Sequence, residues 1–343
     1  VLLALLLLAA AGAALWGQQR LAAVMERHST APAGTRIVVR PGESVRGVLQ
    51  QLSTAGALAE PRLVALYLKL HGQSVRVLAG TYELAPEASV QAILRQFDEG
   101  QVVLEQLTIV EGWNFAQMRA ALAATDTLVH DWQAKSDEQV MAALGEPGLH
   151  PEGRFFPDSY RYAAGTSDRR IYEIAFGRMQ SRLAQEWAAR AGGLPVKTPA
   201  EALTLASIVE KETGREDERG RVAAVFTNRL RLGMKLQTDP TVIYGLGARY
   251  DGNIRRRDLE ADTPYNTYTR AGLPPTPIAL PGAASLHAAL HPADDKALYF
   301  VASGLGDGSH HYSASYAEHS AAVLHFLKLT GAKPDRQARG GTP

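Results

Sequence analysis

Residues 201–214 read EALTLASIVEKETG, and the rest of the chain is arranged around this stretch. Strong helix formers after Pro199 and a stop near Gly214 predict a helix. At helical spacing Leu205, Ile208, Val209 and Glu212 share one face, so a carboxyl group closes an apolar stripe. Glu210 points about 160° from the centre of that stripe. Desolvation at the end of such a stripe disfavours the ionised form and should raise the Glu212 pKa. A carboxylic acid able to donate a proton near neutral pH is made in this way. The same spacing also fits a glutamate that caps the stripe, turns out to water and pairs with Lys211 or Arg215.

Downstream, residues 221–232 (RVAAVFTNRLRL) predict an amphipathic helix stopped by Gly233. Residues 234–281 are rich in Pro, Gly, Asn and Thr, which predicts a long irregular segment of the kind that carries function. A core helix over 283–290, a strand over 297–302, a hairpin turn over 304–313 and a closing helix over 316–330 follow. The tail 333–343 reads as disordered.

Upstream, residues 170–191 predict a helix broken by Gly192-Gly193. The aromatic segment 152–162 (EGRFFPDSYRY) fits either a groove for sugars or a packed loop between domains. Residues 102–109 alternate like a strand, and 115–124 are helical. Residues 36–104 read as a β-α-α-β-α unit: strands near 36–39 and 78–84, helices 45–55, 61–70 and 89–99, with Ser44 and Ser89 as N-caps. Residues 1–16 (VLLALLLLAAAGAALW) carry no charge. The expected organisation is therefore an uncleaved membrane anchor at 1–20, a linker at 21–35, the small module at 36–104, a joining α/β segment at 105–165 and an α+β domain at 166–332. The fold class is α+β.

With 343 residues and a net charge of +1, the chain has no nucleic-acid footprint. It has no cysteine, which removes disulfides, Cys-ligated zinc and a thiol nucleophile. The glycines at 304 and 306 lack the lysine and helix of a phosphate loop. Ser207, Ser303 and Ser313 lack a nucleophile elbow. His310, His311 and His319 with Glu318 match no helical ligand spacing, so neither a metal nor a cofactor is expected. Ordinary glycosidases need a second carboxylate, for which Asp239, Glu216 or Asp217 are available, with Pro240 placing Asp239 in a turn. A lone protonated glutamate among amide and hydroxyl donors (Gln237, Thr238, Tyr265, Asn266, Tyr268) instead suits a reaction without a water-activating base.

ASIVEKET (206–213), VFTNRLRLGMKLQTDPTVIYGLG (225–247), YNTYTRAGLPPTPIALPG (265–282) and AALHPADDKALYFVA (288–302) resemble the endolytic murein transglycosylases, the MltG or YceG-like family. The likeness covers most of the chain, with a membrane anchor, a LysM-like module, the EGxFxPDxY segment and a catalytic domain. It implies lytic cleavage between N-acetylmuramic acid and N-acetylglucosamine in peptidoglycan glycan strands. One glutamate acts as acid and then as base, leaving a 1,6-anhydro end. On this resemblance Glu212 is the catalytic residue and Glu210 the competing assignment. Gln237, Thr238, Tyr265, Asn266, His310 and Tyr312 line the glycan cleft, and Asp307-Gly308-Ser309 leaves the register of the last hairpin open. The implied place is the inner membrane, with the catalytic domain in the periplasm and peptidoglycan synthases as partners. A muramidase using Asp239 and a non-catalytic peptidoglycan-binding scaffold are the rival readings.

Overall fold

The computed structural model describes residues 2–40 and 42–331. Pro41 and the expected disordered tail at 333–343 lie outside the described residues. The chain is mixed α and β, and its described residues form three two-stranded sheets. It divides into two compact units.

The first unit comprises residues 1–106, 126–129 and 161–167. It holds α1 (Leu2–Glu26), β1 (Arg36–Val39), α2 (Val45–Thr54), α3 (Pro61–Leu70), β2 (Gly80–Glu83) and α4 (Val90–Asp98). The Ser44 and Ser89 hydroxyls accept from the amides of Gly47 and Ala92, starting α2 and α4 as the sequence predicts. β1 and β2 pair antiparallel, Arg36 opposite Glu83 and Val39 opposite Gly80. Their inward Ile37, Val39 and Tyr82 meet Val48, Leu49 and Leu52 of α2, Val64 and Leu68 of α3, and Ile93 and Phe97 of α4.

The expected membrane-spanning anchor at 1–20 is not supported: among the described residues no helix is long and apolar enough to cross a membrane. The run of α1 over residues 2–17 is uncharged and mainly apolar. Gln18, Gln19 and Arg20 follow within the same helix. Residues 21–26, expected as linker, continue α1. They dock it, because Val24 and Met25 are buried in this unit's core and Arg20 and Arg27 pair with Glu60.

The chain passes between the units within β3 (Leu104–Thr108) and β4 (Ser159–Ala163), which pair with each other. The segment 105–165 therefore divides between the two units. Phe155, Tyr160 and Tyr162 of the aromatic stretch are buried, which makes it packing rather than an open sugar groove.

The second unit comprises residues 107–125, 130–160 and 168 onward. Its helices are α5 (Phe115–Ala123), α6 (Asp137–Ala143), α7 (Asp168–Ala189), α8 (Pro199–Glu212), α9 (Arg219–Arg231), α10 (Asp239–Leu246), α11 (Arg256–Glu260), α12 (Ala283–Leu290) and α13 (Tyr316–Thr330). β5 (Tyr299–Ala302) and β6 (His310–Ser313) form an antiparallel hairpin. α8 is the hub, with α7, α9, α10 and α12 packed against it. Every residue from 202 to 209 is buried, so this helix is enclosed on all sides rather than carrying one apolar stripe. Each large aliphatic on it contributes about 1.5–3 kcal/mol. The segment 234–281 is not irregular throughout: α10 and α11 lie within it.

Candidate active site

α8 begins where Thr198 accepts from the Glu201 amide, and it ends at Glu212 because Thr213 is extended (φ −141°, ψ 132°). The last residue of a buried helix thus leaves the core with part of its side chain exposed, while its carboxyl group stays buried. The negative end of the helix dipole also lies there, which disfavours an anion. The Glu212 carboxyl is pushed up to about 6 from a usual 4.5, chiefly by burial and in lesser part by the neighbouring Asp239 charge. The Thr238 hydroxyl, His310 and Arg229 pull in the opposite direction.

Thr238 stands at the N-cap position of α10, but instead of capping the helix its hydroxyl donates to Glu212 Oε1. A threonine network fixes it. The Thr238 amide donates to Thr267 Oγ1 at 3.1 Å, and Thr241 bonds both the Thr238 carbonyl (2.7 Å) and Thr267 Oγ1 (2.9 Å). Gln237 sits at φ 52°, a left-handed conformation costing about 1–3 kcal/mol outside glycine, and its amide donates to the Thr267 carbonyl at 3.1 Å. That strained turn sets where Thr238 points.

Asp239 occupies the first turn of α10 rather than a loop, and it accepts the Tyr268 hydroxyl at 2.6 Å. Burial first and the Asp239 charge second push the Tyr268 phenol up, so it stays a donor. On the other side Glu218, buried in a short 3-10 turn, accepts from the His310 amide (2.9 Å) and bonds His310 Nδ1 (2.7 Å). Because a carboxylate only accepts, Nδ1 carries the proton. The Tyr312 hydroxyl reaches Glu218 at 3.4 Å, and the Arg221 guanidinium lies 4.0 Å over the Tyr312 ring. Arg229 is buried, donating to the carbonyls of Leu298 and Leu236 at 2.7 Å each, and burial lowers its pKa.

The structure therefore gathers Glu212, Thr238, Asp239 and His310 into one electrostatic neighbourhood, with Tyr312 linked through Glu218. Asn266 and Tyr265 are used elsewhere. The Asn266 side chain is buried, its amide donating to the carbonyls of Asp258, Leu259 and Ala261, while its Oδ1 accepts from the Tyr268 amide at 2.9 Å. It holds Tyr268 in place and has no donor to spare for a sugar. Tyr265 bonds Thr276 at 2.8 Å and packs on Tyr244. It helps line a cavity of about 800 Å³ with His150, Glu152 and Lys211. Glu152 accepts there from the Phe115 amide (3.0 Å) and the Tyr244 hydroxyl (3.0 Å), and burial pushes its pKa up to about 7. Glu210 accepts the Gly282 amide at 3.0 Å and takes no part in the Glu212 group.

Sequence reasoning misses Glu218, Arg229 and Thr267. Arg229 leaves a trace: with Val222 and Phe226 it falls at i, i+4 and i+7, a cation on the buried face of its own helix. Glu218 and Thr267 lie in turns, where no periodicity marks them.

A family model described as the YceG-like family matches residues 37–325. The chain is 30% identical over 348 residues to an endolytic murein transglycosylase of Bacillus subtilis, covering 94% of this chain and 92% of that protein. It is 25% identical to an endolytic murein transglycosylase of Streptococcus pneumoniae, covering 83% of this chain and 57% of that protein. A crystal structure of a yceG-like protein from Listeria monocytogenes superposes with a TM-score of 0.54 at 28% identity, covering 84% of this chain and 99% of that one.

Proposed function

The chain belongs to the YceG-like family, and on that premise we propose that it cleaves peptidoglycan glycan strands as an endolytic transglycosylase, with Glu212 as acid and then base. The observation that carries this reading is a carboxyl group held at about 6 by burial at the end of α8. It is protonated often enough near neutral pH to donate and acidic enough to leave a useful base. Glu212 gives its proton to the oxygen between N-acetylmuramic acid and N-acetylglucosamine, and that C1–O bond breaks. The carboxylate so formed accepts the proton of the muramic 6-hydroxyl as its oxygen bonds C1. This closes a 1,6-anhydro ring without water. Thr238 steers the carboxyl group, and the Arg229 and His310 side supports the negative charge that develops on it.

Asp239 supplies the observation behind a second reading. Its carboxylate acts electrostatically on Glu212, as a water-activating base beside an acid would. Mass spectrometry of products from uncrosslinked glycan strands separates the two. Anhydro-muramic ends from the parent, lost in Glu212→Gln, support the lytic reading. Water-added reducing ends shift the chemistry to Asp239, and no cleavage of a strand that binds returns the chain to a scaffold role.

The β1-α2-α3-β2 order supports a LysM-like module with a glycan-facing surface. A groove of about 600 Å³ lined by Arg46, Gln50, Arg62 and Gln73 is its candidate, tested by co-sedimentation of an Arg62→Ala variant with peptidoglycan. The substrate's location points to the periplasmic side of the inner membrane. Exposed Leu5, Leu7, Leu8, Leu15 and Trp16 on α1 support attachment there, and fractionation with and without residues 2–17 tests it. Family likeness also supports association with peptidoglycan synthases, which co-purification tests.

A further inference from the structure

On α12, His287 lies in the last turn and His291 caps the end, four residues on. That spacing puts both rings on one face, and they stack with centroids 4.3 Å apart. Glu186, near the end of α7, reaches the same point with its side chain only 13% exposed. Its Oε2 is 3.0 Å from His287 Nδ1 and 4.0 Å from His291 Nδ1. Its Oε1 faces Arg182 at 3.5 Å, so one oxygen remains for the histidines.

The tautomer of His291 follows from its partners. Nε2 lies 2.8 Å from the Ala189 carbonyl, which can only accept, so Nε2 bears a hydrogen. In the neutral ring Nδ1 is then a bare lone pair, facing the Glu186 carboxylate and, at 3.3 Å, the His287 carbonyl. Lone pair against two oxygens is unfavourable unless a cation sits on Nδ1, and only a proton or a metal ion supplies one. A backbone carbonyl fixing the far nitrogen is also how ligating histidines are oriented.

We propose that Glu186, His287 and His291 bind a divalent transition-metal ion, zinc by preference. The donor atoms lie within 4.8 Å of one another. Tetrahedral zinc at about 2.0–2.2 Å from each donor would set neighbouring donors about 3.4 Å apart, and the present 3.0 and 4.0 Å bracket that value; the rings, now near-parallel at 17°, converge on one ion once the exposed His287 ring turns out of the stack. Two imidazoles and one carboxylate suit zinc better than magnesium or calcium, and water completes the fourth position. The ion would clip α7 to α12, both of which pack on α8, and so brace the helix that ends in Glu212. Its role is structural, and the proposal is independent of the reaction assigned to Glu212.

Titration of the whole chain with zinc chloride, and with cobalt(II) as a visible-absorption reporter, tests it. One saturable equivalent is expected, with the intense d–d absorption of a tetrahedral site and a rise in Tm. His287→Ala, at a largely exposed side chain, should fold normally and bind at least about tenfold more weakly. Glu186→Gln should do the same. Absence of a saturable equivalent, or unchanged affinity in His287→Ala, overturns the proposal and makes the cluster a protonated histidine–glutamate pair.

Discussion

Replacing Glu212 with glutamine should stabilise the protein in mild alkali and leave it nearly unchanged in acid. The folded carboxyl titrates at about 6 and the unfolded one at 4.5. Between those values the native state holds more protons than the unfolded state, so stability falls as pH rises through the window. Below 4.5 both states are protonated and the penalty vanishes. Above about 6 it is complete: about 1.5 units at 1.36 kcal/mol each, or about 2 kcal/mol. Glutamine keeps the shape and still accepts from Thr238, so it behaves as a permanently protonated glutamate. For a domain of this size the gain corresponds to a Tm about 4–8 °C higher at about pH 8, shrinking to nothing at about pH 4. Calorimetry of parent and variant across that range measures it, while the anhydro product disappears. An equal gain at both ends, or a loss in alkali, would refute the idea that burial keeps this carboxyl protonated. Glycan cleavage alone cannot test that idea, because any lost functional group abolishes activity.

Thr238→Val is nearly isosteric and removes the hydroxyl that favours the Glu212 carboxylate. The descending alkaline limb of kcat/KM should move up from about 6 by roughly one unit. A limb that stays put would show that Thr238 packs without steering the acid. Glu152→Gln should follow the same linkage sign as Glu212→Gln. The folded value of about 7 penalises the parent as pH rises from 4.5 through 7, and urea unfolding at either end reads the difference. Asn266→Ala strips donors from the carbonyls of Asp258, Leu259 and Ala261. It should cost roughly 2–4 kcal/mol, with activity falling as Tyr268 loses its anchor. A fully stable variant would count against the clamp.

What the sequence disclosed follows the range of the forces involved. α2 and α4 were legible because a capping hydroxyl is local, α8 because strong helix formers follow Pro199 with a 3.6-residue apolar rhythm, and Glu212 stood out by closing that rhythm. Even there the reading was partial. A single stripe was expected, yet Thr204 and Ser207 are buried with the leucines, because Ser207 bonds the Thr204 carbonyl and the Ile278 amide. Those partners lie on α8's own backbone and 71 residues away. Loop 234–281 failed for the same reason. Thr238 is held by Thr267, and Asn266 spends its amide on Asp258, Leu259 and Ala261, so residues rich in turn formers were building a rigid frame. The expectation that Asn266 and Tyr265 meet the glycan came from the company they keep in the motif. Their hydrogen bonds show what else they do: Asn266 holds Tyr268 beside Asp239, and Tyr265 bonds Thr276 and lines a cavity. The acid itself depends on both ranges at once. A helix end, readable locally, places the carboxyl at the edge of the core, where burial raises its pKa, while Thr238, Arg229 and His310, brought from three other elements, pull it back down.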